Sequence, residues 1–291
     1  MNVECTKNEQ GGISYYIFPA FDKTGLVRHA YSTKLGGVSS GAYDSLNLSI
    51  LTNDDPENIR ENRQRFLNSV GIEPDCVVGA NQVHKDSIYQ VGIKDKGRGA
   101  YDPETVVPAT DALMTNEPGL ALTAFFADCV PVFLLDPVKK VIALAHAGWK
   151  GTVVKIAAKT VLAMQQTYGS EAVDILAAIG PSIGPCHYEV DKPVIDKVKA
   201  AFPEYWAELF TDRAGFDEMI AEKSDKKPAT GNIRLHLDLW AANFRQLTDI
   251  GIPVENITVA RLCTYCHQDE FFSHRAGMAG RQAAVIMLNN E

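Results

Sequence analysis

Residues 120–147, "LALTAFFADCVPVFLLDPVKKVIALAHA", hold three apolar runs broken only by Asp128-Cys129 and by the turn "DPVKK". A strand with one wet face alternates apolar with polar residues, so runs this continuous must be covered on both faces. The centre of the chain therefore predicts inner strands of a layered fold. Folding 130–136 back on 141–147 through "DPVKK" gives an antiparallel hairpin that brings Cys129 toward His146 at one end.

The flanking segments fit that frame. "ISYYIF" (13–18), "VRHAYST" (27–33), "DCVVGA" (75–80), "DSIYQV" (86–91), "DALMT" (111–115), "VDILAAIG" (173–180), "ITVARLC" (257–263) and "QAAVIML" (282–288) read as strands. A helix is expected over 55–71, with Asp55 as its cap, Pro56 in the first turn and Gly71 at its end. Further helices are expected over 152–168, 191–202 and 237–251. In the first of these Val154, Ala157, Ala158, Val161 and Leu162 would face the sheet. Strict strand–helix alternation fails. The expected class is therefore α+β, a layered α/β arrangement of one large mixed sheet or two stacked sheets with outer helices, and 1–291 reads as a single domain. The charged stretch 211–232 reads as an exposed loop.

Composition narrows the function classes. The chain has 291 residues, 46% hydrophobic and 22% charged, with 28 Lys+Arg against 36 Asp+Glu for a net charge of −8. That balance speaks against nucleic acid as partner, and a small anionic substrate would need a local basic pocket. No apolar run is long enough to span a bilayer. The polar start "MNVECTKNEQGG" lacks the apolar core of a signal peptide. Six scattered cysteines in a chain of this size suit reduced thiols, so a cytoplasmic protein is expected. The oligomeric state stays open, a homo-oligomer included.

Polar residues interrupt the core at a few places. Asp128 lies between two apolar strands, where a bare carboxylate is costly. It reads as a turn residue bonding its own backbone, as a general acid/base, or as a group that orients a histidine. Cys129 beside His146 is open to two chemistries: a nucleophile–base pair, or a zinc site with an open fourth position in which His84 is the third ligand. "CTYC" (263–266) reads as mostly structural. A zinc there would draw its second pair from His267 and His274. Lys150, Arg275 and Arg281 are candidate anion holders.

Taken together, "GGVSSGAYDSLNLS", "NQVHKDS", "TDALMT", "ADCVPVFLLDP", "AHAGWKGT", "GPSIGPCHYEV" and "CTYC…FFSHRAG" resemble the bacterial YlmD/YfiH family, also called the laccase-domain or polyphenol-oxidase family. The resemblance runs from about residue 20 to the C-terminus. It implies a layered α/β domain and a metal site on His84, Cys129 and His146, holding zinc, with copper as the alternative occupant. It also implies purine nucleoside phosphorolysis: adenosine, inosine and methylthioadenosine, with phosphate as co-substrate, give the base and a ribose 1-phosphate, and adenosine is deaminated as well. On that reading Asp128, Cys129 and His146 are catalytic. Lys150 and Arg275 would hold phosphate, and Asn81 and Gln82 would bond a base or ribose edge. Cys186 and Cys263 are read either as pocket lining or as packing. Where the family often has a second arginine after the one matched by Arg275, this chain has Ala276, which weakens a paired-arginine clamp. Seven histidines and no His-x-His pair speak against a multicopper oxidase. The rival readings are a metal-free cysteine hydrolase or deamidase with a Cys129–His146 dyad, and a factor that binds or edits peptidoglycan precursors.

Overall fold

The computed structural model describes residues 5–212 and 235–290. The apolar runs become two six-stranded sheets. The first is ordered β1 (Thr6–Gln10), β2 (Ile13–Ile17), β3 (Val27–Ser32), β14 (Gln282–Leu288), β7 (Ala121–Phe126) and β4 (Val77–Gly79). The second is ordered β13 (Ile257–Val259), β10 (Leu176–Ile179), β8 (Val130–Asp136), β9 (Val141–Ala147), β6 (Ala112–Thr115) and β5 (Ile88–Gln90). Both are mixed: β4 pairs parallel with β7, β5 with β6 and β10 with β13, while the other pairs are antiparallel. A small ladder joins β11 (Phe210–Asp212) to β12 (Leu235–Leu237).

Side-chain parity turns the sheets into layers. On β8, Val130, Val132 and Leu134 face the helices, whereas Phe133 and Leu135 pack between the sheets. On β14, Ala284, Ile286 and Leu288 join that inter-sheet core, and Ala283, Val285 and Met287 face outward. The outward face is covered by α2 (Pro56–Val70) through Phe66 and Leu67. The far face of the second sheet is covered by α4 (Ile156–Tyr168), α5 (Lys192–Ala201) and α6 (Leu239–Asp249). Two short helices, α1 (Pro19–Asp22) and α3 (Trp149–Val153), complete the set among the described residues. The stacked-sheet form of the expected fold class is the one observed, with both strand faces buried as the sequence required.

Helix α2 ends where its residues dictate. The Asp55 carboxylate accepts from the Glu57 N–H at 2.8 Å, and Gly71 closes the helix at φ +73°. The helix expected over 152–168 is instead two. Lys155 adopts φ +62° and separates α3 from α4. The break also turns the helix: Val154 and Leu162 are 38% and 39% exposed, while Ile156, Thr160 and Met164 are buried alongside Ala157 and Val161. The polar strand β1 gave no apolar signal, and 257–263 forms strand only as far as Val259. Most of the charged stretch 211–232 lies outside the described residues; Thr211 and Asp212 belong to β11.

Candidate metal centre and cleft

The β8–β9 hairpin sets the site. Its register pairs Val130 with Ala147 and Pro131 with His146, so Cys129 and His146 meet at one end. Along β9, Val141, Ala143, Ala145 and Ala147 face the helices, while Ile142 and Leu144 face the inter-sheet core. Two-residue periodicity puts His146 on the inter-sheet side, where its ring lies 5.5 Å from that of Phe126. His84, in the link between β4 and β5, completes the group. Its Nε2 is 3.9 Å from Cys129 Sγ, and its ring stands edge-on to that of His146 at 4.7 Å. The ligand atoms of His84, Cys129 and His146 all lie within 4.8 Å of one another.

One residue not singled out from the sequence holds this arrangement. The fully buried Asp111 carboxylate takes the His146 Nδ1–H at 3.0 Å. It also accepts the backbone N–H groups of Val83, His84 and Lys85 at 3.2, 2.9 and 2.8 Å. His84 sits at φ +60°, a left-handed conformation unusual outside glycine. Successive N–H groups converging on an anion from such a turn form a nest, so Asp111 fixes the His84 backbone and the His146 ring together. In the neutral ring, with Nδ1–H donated to Asp111, Nε2 is the nitrogen that would face a metal. Asp128 is likewise left-handed, at φ +82°. Gly148 is a steric necessity: a Cβ there would lie 2.9 Å from Cys129 Sγ and 3.1 Å from His84 Cδ2.

Electrostatics favours ionised sulfur. Burial works against the Cys129 thiolate, but His146 and His84 outweigh it and bring the thiol down to about 6. Burial equally works against the imidazolium, yet Cys129 and Asp111 raise His146 to about 9. Burial would raise Asp111 too, and its bonds from His146 and the backbone keep it below its ordinary value.

A thiolate and two imidazoles suit zinc. Tetrahedral bonds of about 2.3 Å to sulfur and about 2.0 Å to nitrogen imply a sulfur–nitrogen separation of about 3.5 Å, within about 0.4 Å of the 3.9 Å between Cys129 and His84. A zinc held by these three residues would keep a fourth position open, and the cluster borders a cleft with two lobes. One, of about 350 Å³, includes Leu51, Gln82, Phe125 and Arg281; the other, of about 310 Å³, includes Trp149, Lys150, Tyr188 and Arg275. His84, Cys129 and His274 line both lobes. Among the described residues, a larger hollow beside Arg28 and Glu73 contains no such cluster.

The other sequence candidates fall unevenly. Lys150 and Arg275 line the same lobe. Three of the Arg275 contacts go to carbonyls, one to His187 at 3.4 Å and two to Glu189 at 3.1 Å, and its guanidinium lies over Tyr188. Asp128 reaches the cleft wall, and its oxygens already accept from Thr264 Oγ1 and the Arg275 N–H, both at 2.7 Å. Neither partner is a histidine, so Asp128 orients the Thr264 hydroxyl and the Arg275 backbone rather than the imidazole that the sequence reading gave it.

Gln82 departs from its expected role: its amide exchanges two hydrogen bonds with the Phe125 backbone, at 2.9 and 2.8 Å, and so ties the His84 link to β7. Asn81 is exposed and lines neither lobe; its backbone pairs with Val107 and Thr110. Cys186 and Cys263 line neither lobe and instead form a second group with His187 and Cys266. His267 and His274 are not in that group, which corrects the pairing expected for "CTYC". His274, Trp149 and Tyr188 are cleft residues that sequence reasoning did not assign; only the motif context "AHAGW" and "CHYEV" pointed near two of them.

Known proteins share this architecture. A crystal structure of hypothetical protein YfiH from Bacillus licheniformis superimposes with a TM-score of 0.86 at 33% identity, over 97% of this chain and 99% of that one. In sequence, the chain is 37% identical to the purine nucleoside phosphorylase YlmD of Geobacillus stearothermophilus, over 89% of each. It is 31% identical to adenosine deaminase RL5 from an unknown prokaryotic organism, over 84% of this chain and 87% of that protein. A family model described as "Multi-copper polyphenol oxidoreductase laccase" matches residues 28–289. A match of that extent, on a fold shared with YlmD and YfiH, means that the chain belongs to this laccase-like family.

Proposed function

We propose that this chain is a metal-dependent purine nucleoside phosphorylase acting on adenosine, inosine and methylthioadenosine, with adenosine deamination as a side activity. The observation that carries the reading is the convergence of His84, Cys129 and His146 on one cleft, with Asp111 orienting two of them. Relatives named purine nucleoside phosphorylase and adenosine deaminase support the chemistry. A zinc ion held by His84, Cys129 and His146 would supply Lewis acidity at the cleft-facing position.

The remaining steps belong to the chain's own residues. Phosphorolysis breaks the bond between the purine nitrogen and the anomeric carbon and forms one from that carbon to a phosphate oxygen. Positive charge builds on the sugar as the base leaves, so an anion held at its face lowers the barrier. Lys150 and Arg275 put two cations in one lobe of an otherwise acidic protein, and we assign the phosphate there. The apolar edge of Leu51 and Phe125 in the other lobe suits the purine. Asp128 is a positioning residue: it holds Thr264 and the Arg275 backbone beside Cys129. In deamination the nucleophile is water, so phosphate is not needed.

A copper oxidase reading finds no support in the histidines. His29 accepts the Phe18 N–H inside the core, where burial lowers it to about 4, and His236 donates to the Pro185 carbonyl. The remaining three outside the cluster are His187, His267 and His274. They leave no set for a trinuclear centre. The metal-free alternative draws on one specific feature, the Asp111–His146–Cys129 relay, which has the order of a nucleophile, base and orienting carboxylate. His84 lies outside that relay, although it also lowers the Cys129 thiol.

Chromatography of products from adenosine with and without phosphate tests the proposal. Adenine and ribose 1-phosphate are expected only with phosphate, and some inosine in both cases. Absence of ribose 1-phosphate under all metal loadings would overturn it. Zinc-protected Cys129 should resist alkylation; ready alkylation of the fully active protein would favour the thiol nucleophile.

A further inference from the structure

We propose that Cys186, His187, Cys263 and Cys266 form a second, structural zinc site that clamps the 184–188 loop to the 263–266 turn. The four ligand atoms lie within 4.8 Å of one another, although the two segments are far apart in sequence. Cys186 Sγ is 3.5 Å from Cys266 Sγ, and Cys266 Sγ is 3.3 Å from His187 Nδ1. Tetrahedral zinc with ordinary bond lengths implies about 3.8 Å between two sulfurs and about 3.5 Å between sulfur and nitrogen. The observed edges are within a few tenths of an ångström of that figure. They are also far longer than the sulfur–sulfur bond of about 2.05 Å in a disulfide.

The surroundings favour a thiolate at Cys263. The Gly184 N–H points at Cys263 Sγ at 3.2 Å, a donor that stabilises negative sulfur. A Cβ on Gly184 would lie 2.7 Å from the Trp240 ring and 3.2 Å from Cys186 Sγ, so the loop passes as closely as a glycine allows. The His187 ring stacks on Tyr265 at 4.3 Å, which fixes its orientation toward Cys266. The scaffold beneath is already paired: Ser182 N–H donates to Leu262 O and Thr264 N–H to Ser182 O, both at 3.1 Å. Three sulfurs and one nitrogen select a soft-tolerant tetrahedral ion, and four protein ligands leave no position for substrate. The clamp's two halves carry Tyr188 and Thr264, and through Asp128 and Glu189 they brace Arg275. The site therefore stiffens one wall of the cleft without entering it. Its existence does not depend on which reaction the cleft performs.

The test uses the full-length chain purified under reductant, with the cleft cluster disabled by His84→Ala and Cys129→Ser. Elemental analysis after dialysis against a weak chelator should find about one zinc per chain, and adding Cys266→Ser should remove it. Because that last change could unfold the loop, cobalt loading of the His84→Ala/Cys129→Ser protein gives a second readout. Tetrahedral cobalt with thiolate charge-transfer absorption is expected, since Cys5 and Cys76 belong to no ligand group among the described residues. No retained zinc together with no thiolate–cobalt band would overturn the site. So would an intact mass two hydrogens short from a Cys186–Cys266 disulfide in the reduced preparation.

Discussion

Two clusters of sulfur and nitrogen stand on either side of Asp128, and they are built in opposite ways. His84, Cys129 and His146 hang from strand ends and a strained link, with a buried carboxylate behind two of them. Cys186, His187, Cys263 and Cys266 come from loops, are supported by backbone pairing, and have no carboxylate bonded to them in the described contacts. The first group has three ligands beside a cleft; the second has four and faces none of it. On the proposed reading, ligand number and the groups behind the ligands, rather than ligand type, would separate a centre that meets substrate from one that holds the chain together.

The sharpest break of this contrast is Cys129→Ser, which exchanges a thiolate for a poor zinc ligand of similar size. Phosphorolysis should fall more than about 100-fold together with the loss of one bound metal, while the metal of the loop cluster stays. Elemental analysis and product assays on the same preparation check both halves. Full phosphorolysis by a variant that has lost the cleft metal would make that metal incidental to the reaction.

Next in size is Asp111→Asn. Losing an ionised partner behind a ligand costs about 10–100-fold in metal affinity or activity, and the loop cluster should not respond. The same change sharpens the contrast through pH. Asp111 is held below its ordinary value in the folded state, chiefly against burial and by His146 and the backbone N–H groups. Its contribution to stability is therefore complete above the unfolded value of about 3.9 and fades as pH falls through the lower folded one. Urea unfolding of metal-free wild type and Asp111→Asn should differ by about 1–3 kcal/mol near neutrality, and the gap should close below about pH 4. A gap that is constant across that range would mean that the carboxylate charge is not what holds the histidine and the link.

The parts of this site that the sequence revealed are those governed by local rules. A turn at "DPVKK" sufficed to bring Cys129 to His146, whereas the facing of His146 between the sheets follows from the packing of β9 in the fold. Asp111 carries no local signal for its role, because that role depends on three N–H groups arriving from a link 26–28 residues away. Gln82 looked like a polar group free for substrate, and only the tertiary structure shows both ends of its amide used by Phe125. The partners of "CTYC" were sought close by at His267 and His274. They come instead from a loop about 80 residues earlier, which the Ser182–Cys263 bridge draws in. The split of the 152–168 helix rests on one left-handed lysine, for which composition gave no cue.

Smaller effects probe the cleft wall that the two clusters share. Lys150→Ala and Arg275→Ala should each raise the phosphate concentration needed for half-maximal rate by about 3–10-fold, because each removes charge-assisted bonds to an anion. Inosine formation should change less. Equal loss of both reactions would show that these residues shape the wall rather than hold phosphate. The smallest change is expected from Asp128→Asn, since an amide can still accept from the Arg275 N–H and donate to Thr264 Oγ1. Deamination within a few-fold of wild type is predicted. A fall of about 10²–10⁴-fold would make Asp128 the general acid/base instead.

On the proposed function, His84, Cys129 and His146 are the ligands of a metal at the cleft. Diffraction data from zinc-loaded crystals, collected on both sides of the zinc absorption edge, address it directly. An anomalous peak is expected about 2.3 Å from Cys129 Sγ and about 2.0–2.1 Å from one nitrogen of each histidine, with its remaining side open to the cleft. A zinc-loaded crystal with no peak among these three residues would contradict it.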